Sequence, residues 1–141
     1  MALYLLVALG SAIGGCLRYF ITRAMLSVSP GTTRSTMLIN VLGSMLIGYF
    51  GNLTIAESRY AVPEYVRIFV MVGICGGFTT FSSFSLQNFY LLRSGAWGRA
   101  FINAALSVLL CLGAVALGYL LAHHSSHSVA ISQTGEEKAA G

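Results

Sequence analysis

Charge is what this sequence has least of. Asp, Glu, Lys and Arg make up 9% of its 141 residues, against about a quarter in an ordinary soluble domain. Eight basic and four acidic residues cannot coat a water-facing sphere, so the chain has to hide in lipid. That excludes a soluble enzyme, a nucleic-acid reader and a disordered tail protein. The pI near 9.2 does not reinstate nucleic acid: seven of the eight basic residues are arginines scattered singly, with no run or face for phosphates to meet. Cys16, Cys75 and Cys111 are an odd number set in apolar stretches. They make neither a disulfide framework nor a C-x-x-C metal site and read as small packing residues. No Ser/His/Asp or Cys/His set falls in those stretches, and Gly76-Gly77-Phe78-Thr79-Thr80 has no lysine to make it a phosphate loop. Catalysis is not expected.

What is present is apolar length. A spanning helix needs ~20 largely apolar residues, and four stretches supply them, at about 2–24, 35–56, 66–92 and 99–122. The connectors are short and polar: 25–34 with Pro30-Gly31, 57–65 with Pro63, and 93–98. Proline and glycine there end helices. The first stretch lacks a basic n-region and a small-residue cleavage site, so it is expected to be retained rather than cleaved as a signal peptide. The expected fold is all-α: one four-helix transmembrane domain over 1–124, followed by a disordered polar tail at 125–141. His123, His124 and His127 fall at the frayed end of that domain and read as solvated rather than as metal ligands. Positive charge barely distinguishes the two membrane faces, with Arg59 and Arg67 near one and Arg23, Arg34, Arg93 and Arg99 near the other. A weak positive-inside signal lets a chain insert both ways, and two-way insertion permits an antiparallel homodimer. Gly10/Gly14, Ser11/Gly15, Ser44/Gly48 and Gly73/Gly77 are small residues at helical spacing, suited to close packing within a chain or between chains.

Polar groups inside an apolar span are costly and mark function. The densest anomaly is Gly73 to Ser85, where glycines and hydroxyls stand in place of Leu and Ala. Two readings fit it. A helix broken near its middle would free carbonyls to cage a small cation and amides to attract an anion; a kinked helix would bond its hydroxyls to its own backbone. Phe81 and Phe84, three apart, share a helix face. Aromatic rings are positive at their edges, so the pair is either an anion-friendly pore wall or ordinary core and lipid-facing packing. Asn40, with Gly43 and Ser44 on its face, offers an amide NH2 to an anion or serves as interhelical glue. Asn103, Ser107 and Cys111, four apart, make a polar track or a packing stripe on the fourth stretch. Arg18, the one permanent charge well inside a stretch, is an anchor that snorkels to the interface or an electropositive vestibule.

Three motifs in order, Gly14-Gly15-Cys16-Leu17-Arg18-Tyr19, Asn40-Val41-Leu42-Gly43-Ser44 and Gly76-Gly77-Phe78-Thr79-Thr80-Phe81-Ser82-Ser83-Phe84-Ser85, resemble the successive signatures of the CrcB (Fluc) fluoride channels. The resemblance covers about residues 2–122. It implies an antiparallel, dual-topology homodimer in a bacterial plasma or inner membrane, with two pathways exporting fluoride passively. By matched position, Phe81 and Phe84 would be the aromatic box, Asn40 the pore amide, and Thr80 and Ser83 hydroxyl donors. Gly76 and Thr79 would offer backbone carbonyls to a central structural sodium ion (Na+) at the dimer axis. Arg18 would match the arginine ending the first motif, and Ser107 a serine of the fourth-span track. Cys111 stands where some relatives have a second serine, and Asn103 where some have a larger polar or aromatic residue. A small four-span multidrug exporter is the alternative. Proton-coupled cation export needs a titratable carboxylate in the membrane, usually in the first span, and here that span has Arg18 and no acid.

Overall fold

The computed structural model describes residues 1–28, 32–54 and 62–139, with side chains for 1–27, 33–54 and 62–124. Pro30-Gly31, Arg59 with most of the second connector, and residues 55–56 of the second expected stretch lie outside the described residues. All described elements are helical: α1 Ala2–Val28, α2 Thr32–Leu53, α3 Glu64–Arg67, a π-helical stretch Ile68–Cys75, α4 Gly76–Phe78, α5 Phe81–Arg93 and α6 Trp97–Ala139. Four runs are long and apolar enough to cross a membrane: Ala2–Ser27, Thr33–Leu53, Glu64–Arg93 and Trp97–His124. They match the four expected stretches to within a few residues at most ends. The reading of 125–141 as a disordered tail falls on residues without described side chains; the backbone of α6 continues as helix to Ala139.

The third run is a bent, joined helix in which Thr79 (φ −76°, ψ 157°) and Thr80 (φ −151°, ψ 106°) are extended between α4 and α5. No proline causes the bend. Thr80 then caps α5, its Oγ1 accepting from Ser83 N at 3.3 Å, a standard way to satisfy a free helix-start amide. At the other end of α5, Gly95 (φ +76°) closes the turn into α6. Ala96 N donates to Leu91 O at 2.9 Å and Gly95 N to Leu92 O at 3.0 Å, the paired bonds of a glycine-terminated helix.

Small residues decide the packing. α1 lies along the π-helical stretch and α4, and α2 lies along α6. A Cβ on Gly10 would sit 2.7 Å from Phe69 O and 2.8 Å from Gly73 Cα, and one on Gly77 would sit 2.8 Å from Ser11 Cα. On the α2–α6 side, Gly48 meets the Val115 backbone and Gly118 that of Met45. Such contact replaces the hydrophobic effect, which is absent between helices in lipid. Polar residues share the interior with mostly small apolar ones: Ser35, Thr36, Thr80, Asn103 and Ser107 are buried beside Ile39, Cys75, Phe78, Ala100, Ala114 and Ala122, whereas Leu5, Phe20, Phe101 and Leu109 are exposed.

Candidate functional site

The extended link at Thr79–Thr80 sits beside a cavity of about 370 Å³ walled by α2, the third run and α6. α2 contributes Asn40, Gly43, Ser44 and Ile47; the π-helical stretch contributes Met71 and Cys75; α6 contributes Ser107, Val108 and Cys111. Gly76, both threonines, Phe81 and Phe84 complete the wall. Among the described residues, no Asp, Glu, Lys, Arg or His lines it. No described residue of α1 lines it; α1 packs against the π-helical stretch and α4, and also touches α2.

Asn40 holds the link. Its Oδ1 accepts from Thr80 N at 2.8 Å and its Nδ2 donates to Thr80 O at 3.2 Å. An extended residue points its N–H and C=O the same way, and a carboxamide presents one acceptor and one donor side by side, so one side chain satisfies both. The side chain thus enters the i→i−4 ladder, a recognised cause of a sharp helix bend. Gly43, on the same face of α2, leaves room for the Thr79 methyl group.

This arrangement redirects amides. In a continuous helix Thr80 N would bond Gly76 O and Ser83 N would bond Thr79 O. Here Thr80 N goes to Asn40 Oδ1 and Ser83 N to Thr80 Oγ1, so the Gly76 and Thr79 carbonyls lose their helical donors. Thr79 spends its hydroxyl on Cys75 O at 2.9 Å, and the Thr80 hydroxyl lies 3.1 Å from Ser83 Oγ and 3.2 Å from Ser82 Oγ.

The sequence-predicted residues therefore divide. Asn40, Gly76, Thr79, Thr80, Phe81, Phe84, Ser107 and Cys111 come together around one cavity. Phe81 and Phe84 face each other with ring centroids 5.5 Å apart and planes tilted by 42°. Ser83 is not in the wall; its N–H donates to the capping Thr80 Oγ1 and its Oγ accepts from the same hydroxyl. Asn103 is not in the wall either: it is buried and donates to Asn88 Oδ1 at 3.2 Å. The stripe Asn103–Ser107–Cys111 thus reaches the cavity only through its last two members. Arg18 is half-buried on α1 and lies away from the cavity, its backbone carbonyl accepting from Thr22 Oγ1 at 2.9 Å.

Sequence reading passed over Gln87 and Asn88. Gln87 Nε2 donates to Thr36 Oγ1 at 2.7 Å, while its Oε1 is buried and without a hydrogen-bond partner. Asn88 Nδ2 donates to Phe84 O at 2.9 Å. Two adjacent amides in an apolar run were the available signal.

The pattern of the CrcB-like protein, Camphor Resistance (CrcB) family matches residues 5–119. A protein from Gluconobacter oxydans named fluoride-specific ion channel FluC is 50% identical over 136 residues, 95% of this chain and 94% of its own length. A Paramagnetospirillum magneticum protein of the same name is 54% identical over 123 residues, covering 86% and 96%. One from Methylocella silvestris is 53% identical over 120 residues, covering 84% and 92%. With its four apolar runs, this is a multi-pass membrane protein, and it belongs to the CrcB family.

Proposed function

We propose that the chain is a fluoride-selective channel that lets fluoride leave a bacterial cell passively, lowering the cytoplasmic level. The observation that carries this reading is the composition of the cavity wall: neutral donors and two phenylalanine rings, with no ionised side chain among the described residues. The names of the relatives agree with it. Fluoride holds its water tightly, so a dry apolar pore would exclude it. A row of dipoles can replace that shell one contact at a time, as carbonyls do for cations. Ser107, the remaining Asn40 N–H and the edges of Phe81 and Phe84 can do so without a fixed positive charge that would trap the ion. Thr80 and Ser83 act in this reading by holding the first turn of α5, the Thr80 hydroxyl bonded to Ser83 and Thr80 itself in the cavity wall. Arg18 supplies positive potential or anchorage on the α1 side.

The working unit in this reading is an antiparallel homodimer with two pathways, the third helix of each chain interrupted at Thr79–Thr80. Phe81, 78% exposed, and Gly76 lie on the open side of the cavity, where a second copy would finish the wall. A structural sodium ion fits the donor chemistry, since the Gly76 and Thr79 carbonyls are hard oxygens relieved of their helical donors. Bound there, one set of carbonyls per chain, sodium would supply charge that pins the two links together and raises the local potential.

Fluoride efflux from liposomes, read by a fluoride electrode, tests the reading. Rapid fluoride efflux without chloride efflux is expected, and folded protein that passes no fluoride ends it. Replacing sodium with a large organic cation after exhaustive dialysis is expected to slow efflux; unchanged flux with no bound sodium removes the cation. Reporters on the two termini are expected to appear on both sides of the membrane, and a single orientation refutes the antiparallel dimer.

A further inference from the structure

Two amides outside the cavity wall, Asn103 buried and Asn88 half-buried, form a chain that ends on a residue inside it. Asn103 Nδ2 on α6 donates to Asn88 Oδ1 on α5 at 3.2 Å, and Asn88 Nδ2 donates to Phe84 O at 2.9 Å. Each carboxamide carries both a donor and an acceptor, so Asn88 can receive from α6 and pass a bond to the backbone of its own helix one turn earlier. Asn103 is 8% exposed, and a buried amide without a partner is destabilising, which holds the pair to this geometry. α5 and α6 are joined directly by the Gly95 turn and pack against each other; the Asn103–Asn88 bond adds a polar tie between them away from that turn. Asn103 also lies one turn before Ser107, which is in the cavity wall.

We propose that Asn88 and Asn103 are positioning residues for Phe84: the relay ties the start of α5 to α6 and sets where the Phe84 ring stands against Ser107. The proposal rests on the reading that Phe84 lines the fluoride path. Neither amide contacts the ion. Their effect is on the angle and mobility of the ring that does.

The test uses the full chain in lipid bilayers with 4-fluorophenylalanine at position 84 and 19F NMR of the ring. Asn103→Ala and Asn88→Ala are expected to shift or broaden the ring resonance and to slow fluoride efflux at least threefold. The double variant is expected to be no worse than the worse single, because the bonds act in series. Asn52→Ala, which removes another inter-helix bond (Nδ2 to Tyr119 O, 3.1 Å), is expected to leave the ring signal unchanged. Should Asn88→Ala fail to fold, Asn103→Ala decides alone. An unchanged ring resonance in folded Asn103→Ala overturns the relay. A wild-type chain that passes no fluoride overturns the channel reading instead, and the ring signal still reports on the relay.

Discussion

The two sides of the third run follow opposite rules. Toward α1, Gly10, Gly14, Gly73 and Gly77 bring two backbones together with little room for side chains, and Ser11 Oγ donates to Gly73 O at 3.5 Å across the seam. Toward α2 and α6, particular side chains reach in: Asn40 takes both backbone groups of Thr80, and Thr80 caps α5. One side is built by omission and is strong but uninformative about chemistry. The other is built by polar groups whose loss leaves a specific backbone atom without a partner. A channel needs both, because a link extended in mid-membrane survives only when braced from behind and satisfied in front.

That contrast can be broken most severely on the α1 side. Gly14→Leu would drive a side chain into Ile74 O and Phe78 N; overpacking of this kind costs ~3 kcal/mol or more, and no folded protein is expected by size-exclusion chromatography. The adjacent Gly15→Ala, whose Cβ would meet only the Arg18 guanidinium at 4.0 Å, is expected to fold normally. On the polar side, Asn40→Asp keeps the shape but sets a carboxylate oxygen against Thr80 O. With a buried acceptor left unsatisfied at ~1–3 kcal/mol, fluoride efflux is expected to fall about tenfold or more while the protein stays folded. Equal flux would show that the clamp is idle. Thr80→Ala removes the α5 cap and is expected to cost ~1 kcal/mol, read as a lower thermal midpoint, with Thr80→Ser close to wild type. The smallest effect belongs to Asn52→Ala, an exposed bond far from the link, expected within ~0.5 kcal/mol of wild type.

Much of this was legible in the chain. The four runs follow from apolar length alone, and the Gly10/Gly14 and Gly73/Gly77 spacings marked a seam before any partner was known. The stretch from Gly73 to Ser85 announced an irregularity, because hydroxyls and glycines are poor tenants of a lipid-buried helix. The roles within it were less legible. Asn40 reads from sequence as either anion donor or glue; its bonds to Thr80 depend on a residue forty positions away. The resemblance offers Ser83 as a hydroxyl donor, and spacing offers Asn103 as part of a polar track or a packing stripe; their partners, Thr80 for Ser83 and Asn88 for Asn103, were not readable from either. Spacing gives the face of a helix and says nothing about which neighbour a side chain on that face will meet.

Composition and periodicity alone made this a lipid-embedded, four-span chain with polar groups concentrated in its third run, since burial of apolar length and the cost of buried dipoles are properties of single segments. Only the tertiary structure decided that Asn40 satisfies the backbone of Thr80, that the Gly76 and Thr79 carbonyls lose their helical partners, and that Phe81 and Phe84 stand together with Ser107 at one cavity. Hydrogen bonds between distant residues are set by how helices cross, and crossing depends on small-residue contacts at several places at once.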